Sequence, residues 1–165
     1  MPPSSALPPD PYGRVALFID GSNFYHTVRD LGIPIDYRRL RQYSATRGKL
    51  VRANYYTALL ETGTPDWLYH LTDGLAYSGY RVVTKPARSY RQHIEDEEGI
   101  KQWITETKGN VDIEIAVDML TLAPYCATLV LFSGDGDFLS VIEAVQHQGC
   151  RMGVISSERT SARAI

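Results

Sequence analysis

The sequence is poor in cysteine, with only Cys126 and Cys150 in 165 residues and no C-x-x-C spacing. That argues against a disulfide framework or a zinc site and reads both thiols as reduced packing residues. No apolar run approaches the roughly 20 residues that span a bilayer, so no membrane partner is expected. Formal net charge is only -2, unlike the strongly basic balance of domains that coat nucleic acid nonspecifically. The opening M-P-P-S-S-A-L-P-P-D-P has neither a basic region nor an apolar stretch. It reads as a disordered Pro-rich leader over 1–12 ahead of one domain over 13–165, with the cytoplasm as default location. His26, His70, His93 and His147 show no ligand spacing and neighbour no nucleophile, so they are assigned no chemistry.

What is present is an alternation of short apolar runs and helical stretches. R-V-A-L-F-I (14–19), L-V-R-A-N-Y-Y-T-A-L (50–59), Y-R-V-V-T (80–84), T-L-V-L-F (128–132) and C-R-M-G-V-I-S (150–156) read as strands. Helices are expected over about 24–31, 36–44, 66–78 and 138–148, and from Val111 to the stop at Pro124. The helix after Val111 is apolar almost all round and is expected to be buried. Strands alternating with helices predict an α/β fold, a parallel sheet with helices on both faces. The polar stretch 85–110, with Glu95, Asp96, Glu97 and Glu98, leaves a hairpin and a mobile loop both open.

The informative feature is where the acids fall. Asp20 follows the first strand and Asp135 follows the strand at 128–132, and in open parallel sheets the ligand crevice lies beyond the strands' carboxyl ends. Asp112 falls in a first helical turn, and Asp137 shares the S-G-D-G-D-F turn of 133–138 with Asp135. If the two strands are neighbours, four carboxylates converge. Such charges need a counterion, and Mg²⁺ or Mn²⁺ suits oxygen donors. The bland alternative is helix capping by Asp20 and Asp135. Asp118 lies six residues after Asp112, roughly 240° round the helix, so the two do not reach one ion from one face. A second metal, bonds to a ligand's partners, and plain exposure all stay open for Asp118. Glu114 is expected to point outward, and Gly134 and Gly136 to let the backbone bring two carboxylates together.

Amides and hydroxyls surround this group. Ser22, Asn23 and Ser133 are placed to orient waters or a phosphate, and Lys108 to meet a phosphate. A separate track carries Arg38, Arg39, Arg41, Arg47, Lys49 and Arg52 with Tyr37, Tyr43, Tyr55 and Tyr56 interleaved or adjacent. Cations for phosphates and rings for bases suit a single-stranded ligand, with Arg38 and Arg41 as its contacts. A solvated helix face is the alternative.

Three stretches, F-I-D-G-S-N-F (18–24), K-G-N-V-D-I-E-I-A-V-D-M-L (108–120) and L-V-L-F-S-G-D-G-D-F (129–138), resemble the NYN domain family, a branch of the PIN-like metal-dependent nucleases. The resemblance implies a three-layer α/β/α sandwich with a five-stranded, mainly parallel sheet. It also implies a ribonuclease that binds Mg²⁺ or Mn²⁺ through Asp20, Asp112, Asp118, Asp135 and Asp137, with Asn23 at the site. Asp20, Asp112, Asp135 and Asp137 would carry catalysis, by metal-assisted hydrolysis of RNA. A non-catalytic RNA- or protein-binding module with the same pocket is the alternative, and a homodimer is an open assembly. A small-molecule phosphatase ranks last, since it calls for D-x-D where this chain has D-G-S-N.

Overall fold

A computed structural model of the protein describes residues 12–95 and 101–157, with only the backbone described from 92 to 95 and from 101 to 108. The expected leader up to Pro11 and the side chains of Glu95, Asp96, Glu97, Glu98 and Lys108 lie outside the described residues.

The first strand, β1 (Arg14–Asp20), shows why an unbroken apolar run means a central strand. Val15, Leu17 and Ile19 enter one core cluster while Ala16 and Phe18 enter another, so both faces of the pleat are buried. Helices α1 (Gly21–Leu31) and α2 (Tyr37–Arg47) lead to β2 (Lys49–Leu60), and α3 (Asp66–Tyr77) leads to β3 (Arg81–Glu95). Then come β4 (Lys101–Lys108), α4 (Asp112–Leu122), β5 (Thr128–Phe132), α5 (Leu139–His147) and β6 (Arg151–Val154).

The strand order is β4-β3-β2-β1-β5-β6. Five strands run parallel, as expected, and β4 joins the edge antiparallel to the outer half of β3. Helices α4 and α5 cover one face through Ile115, Met119, Val141, Ile142 and Val145. Helices α1, α2 and α3 cover the other through Phe24, Val28, Leu40, Leu71 and Leu75. Cys126 and Cys150 are buried and form no disulfide. Among the described residues no helix is long and apolar enough to cross a membrane.

One open choice resolves and one expectation changes. Within the stretch 85–110 the hairpin reading holds for the described residues, because β3 continues well past Thr84 and pairs antiparallel with β4 from Arg88↔Lys108 to Glu95↔Lys101. A polar ribbon satisfied by its own backbone ladder carries no apolar alternation to read. Helix α4 is not buried all round: Ile113, Val117 and Leu120 are 66%, 55% and 39% exposed. A helix in the outer layer of a sandwich buries one stripe, and here Ile115 and Met119 supply it.

Candidate active site

Strand β1 lies between β2 and β5, so the strand order reverses at the β1–β5 boundary, and Ile19 faces Phe132 in register. The next residues, Asp20 and Ser133, therefore meet: the Ser133 hydroxyl donates to Asp20 Oδ2 at 3.0 Å. Asp20 also caps α1, its Oδ1 accepting the Asn23 N–H at 3.2 Å. Capping and site membership hold together, because one carboxylate oxygen serves each. Asn23 in turn accepts the Gly134 N–H at 2.9 Å, tying α1 to the turn after β5. Asp135 accepts from the Asp137 N–H at 3.0 Å and its own N–H donates to Ser133 Oγ at 3.2 Å.

A cavity of about 370 Å³ opens here, walled by Asp20, Asp112 and Asp135, with Ser22, Asn23, His26, Asn110 and the backbone at Gly109 and Val111. Asp112 comes from the first turn of α4, where the Asn110 amide donates to its Oδ2 at 2.7 Å. The expected convergence of Asp20, Asp112 and Asp135 on one crevice is what the fold builds. Asp137 is exposed beside it rather than on its wall, yet its charge reaches Asp112.

The electrostatics record this crowding. Burial, then the charges of Asp20, Asp135, Asp137 and Glu114, push the Asp112 carboxyl up to about 6. Burial also raises the Asp20 carboxyl, with the Asn23 and Ser133 hydrogen bonds pulling against it and the Asp135 charge adding to the rise. Among the described residues, no three Asp, Glu, His or Cys side chains close round a single point as a formed ion site. The donor chemistry nonetheless fits a hard divalent cation. The acids offer only oxygen donors, amides and hydroxyls adjoin them, and Asp112 is held toward its neutral form by burial and by neighbouring negative charge.

Other expected residues lie elsewhere. Asp118 accepts from the Tyr56 hydroxyl at 2.8 Å and pairs with Arg81 at the start of β3, away from the crevice. The helical rotation from Asp112 turns it toward β2 and β3. Glu114 does not point freely outward. It pairs with Lys85 at 2.9 Å, and its Oε2 is buried without a partner. Arg38 and Arg41 line a separate cavity of about 470 Å³ with Gln42, Tyr77 and Ser78. Of the tyrosines on the expected track, Tyr55 and Tyr56 are core residues, 2% and 0% exposed, and present no ring to a ligand.

Two lining residues were not expected. His26 and Asn110 wall the crevice, although neither spacing nor adjacency to an acid marks His26 in the sequence. The glycines that close approach requires are Gly21 and Gly109. A Cβ at Gly21 would lie 2.6 Å from the Tyr56 carbonyl oxygen. Gly109 has φ 137° and packs on Ala87, where a Cβ would sit 2.7 Å from Cα. Neither Gly134 nor Gly136 takes positive φ.

Comparison with known proteins follows this geometry. A family model described as the NYN domain matches residues 14–165. The chain belongs to the NYN domain family. NYN domains are nuclease-like and RNA-related, and such nucleases generally use divalent metals. The chain is similar to the low amplitude and bright protein LabA of Synechococcus elongatus, 34% identical over 152 residues, covering 91% of this chain and 77% of that one. The crystal structure of a Vibrio parahaemolyticus protein of unknown function superposes with a TM-score of 0.71 at 24% identity, covering 96% of this chain and 90% of that one. The second likeness bears on the α/β fold alone.

Proposed function

We propose that this NYN domain is a metal-dependent ribonuclease whose Asp20, Asp112 and Asp135 hold Mg²⁺ or Mn²⁺. The observation that carries the reading is the meeting of Asp20 with Ser133 and Asp135 across the β1–β5 boundary, opposite an Asp112 whose carboxyl is raised to about 6 by burial and then by its acidic neighbours. When bound, a divalent ion supplies Lewis acidity at the phosphate and a more acidic water.

The chain's own residues do the positioning. Ser133 and the Asn23 N–H hold Asp20 by one oxygen each, and Asn110 orients Asp112. Ser22 and Asn23 line the crevice at the start of α1, where the positive end of the helix dipole favours an incoming phosphate. Asp137 joins from the rim. Lys108 ends β4 just before the crevice-lining Gly109, where a cation would meet the same strand. Arg38 and Arg41, in their own cavity, hold a more distant phosphate.

The test is cleavage of a single-stranded RNA by highly purified protein. Cutting is expected only with Mg²⁺ or Mn²⁺, and Asp20→Asn and Asp135→Asn are expected to abolish it while far-UV circular dichroism stays unchanged. Undiminished cutting by those variants would overturn the reading. A non-catalytic RNA- or protein-binding module is the second reading. It is favoured by the lack of three mutually closed acidic side chains among the described residues. Tight RNA binding without cleavage across metals would select it.

A further inference from the structure

Helices α1 and α3 both begin at the carboxyl edge of the sheet, α1 directly after β1 and α3 after β2. Their early turns therefore flank the crevice, and two aromatic rings meet there. Tyr25 stacks on Trp67 with ring centroids 5.4 Å apart and an interplanar angle of 20°. His26, which walls the acidic crevice, stands edge-on to Tyr25 at 5.7 Å and 73°. The stack is thus continuous with the site through one side chain.

The rings are not core residues. Tyr25 is 44% exposed and Trp67 49%. The aromatic residues of the central strands β1, β2 and β5, by contrast, go into the interior: Phe18, Tyr55, Tyr56 and Phe132 are all at most 3% exposed. Each ring of the Tyr25–Trp67 pair gives one face to the other and leaves area open to solvent beside a cavity lined by acids and amides. Exposed aromatic faces bind bases by stacking and tolerate any base, since every base has a π-face. Paired bases in a duplex do not present those faces, so such a surface selects unpaired strands.

We propose that Tyr25 and Trp67 form the platform on which a base of single-stranded RNA stacks, next to the nucleotide whose phosphate enters the crevice. The platform rests on the ribonuclease reading for its orientation. It replaces the tyrosines of the α2–β2 segment as the source of base contacts, two of which are buried. His26 links platform and crevice, so the bound strand passes from ring to acid without leaving the carboxyl edge of the sheet.

The experiment uses the full chain carrying Asp135→Asn, so that RNA is bound and not cut. Tryptophan emission is followed as oligouridylate is added with Mg²⁺, and a Trp67→Phe version of the same protein identifies the part due to Trp67. Saturable quenching of Trp67 by oligouridylate, with none by an RNA duplex of equal length, is expected. Tyr25→Ala and Trp67→Ala should each weaken oligouridylate binding roughly five- to a hundredfold. Trp67→Phe should recover most of that loss, and Mn²⁺ affinity should stay unchanged throughout. Unquenched Trp67 at saturating oligouridylate, equal binding of duplex and single strand, or unaltered affinity in both alanine variants would overturn the platform. The outcome is separable from the catalytic reading: wild-type protein that cuts no RNA while Trp67 is still quenched removes the nuclease and keeps the platform.

Discussion

The Ser133 hydroxyl donates to Asp20 Oδ2 at 3.0 Å across the boundary between β1 and β5. The bond exists because Ile19 and Phe132 are in register, which sets the next two residues side by side. It favours the ionised form of a carboxyl that burial otherwise raises. Ser133→Ala is expected to raise the Asp20 carboxyl further and to weaken Mn²⁺ binding by about tenfold, the scale of one hydrogen bond to a charged group. The loss should be greater at mildly acidic pH than at neutral pH. Calorimetric titration with Mn²⁺ at the two pH values checks it, and equal affinity in both proteins would show the hydroxyl to be idle.

Asp118 serves the fold. Its carboxylate accepts from the Tyr56 hydroxyl, on a residue with no exposed surface, and from Arg81. Asp118→Ala should lower stability by about 1–3 kcal/mol, the range for leaving a buried donor unsatisfied, with RNA cutting retained by the folded fraction. Urea denaturation and cleavage assays separate the two effects. Loss of cutting at unchanged stability would instead place Asp118 at a metal.

Asp112 carries a pH signature. Its carboxyl lies at about 6 in the fold against 3.8 for an unperturbed one, so the folded state binds the extra proton between those values. The resulting stabilisation is fully present below the unperturbed value and is lost as pH rises through about 6. Metal-free protein should therefore melt higher in mild acid than at neutral pH. Asp112→Asn should stabilise the metal-free protein at neutral pH by about 1 kcal/mol, after allowance for solvent screening of a partly buried group. The same substitution should remove the stabilisation that Mn²⁺ gives the wild type. Thermal denaturation with and without chelator measures both, and an Asp112→Asn protein that melts below the wild type at neutral pH would refute the assignment.

Arg38 and Arg41 share a cavity in which Arg41 Nε is buried without a partner. If they hold a phosphate, each Arg→Ala change should flatten the salt dependence of RNA binding by about 0.7 in the slope of log affinity against log salt. Filter binding across a salt series tests this. An unchanged slope would leave the two arginines as a solvated face of α2.

The alternation of elements was legible because each carries a local signature. A run such as Val15–Ile19 is apolar on both faces of a pleat, and Asp20 and Asp36 cap the helices that follow them. The β3–β4 ribbon and the exposed stripe of α4 were less legible. A polar hairpin is held by backbone pairing, and an apolar side chain does not say which neighbour, if any, covers it.

For the site, the sequence by itself determined which residues leave the strands at their carboxyl ends: Asp20 after β1, Ser133 and Asp135 after β5, and Asp112 in the first turn of α4. That follows from chain order and local backbone preference alone. Only the tertiary structure decided that β1 and β5 are neighbours, that Asp112 faces them while Asp118 turns to Arg81, and that Tyr55 and Tyr56 are buried while Tyr25 meets Trp67 in solvent. These are matters of strand register and helix phase, settled by how whole faces pack against one sheet.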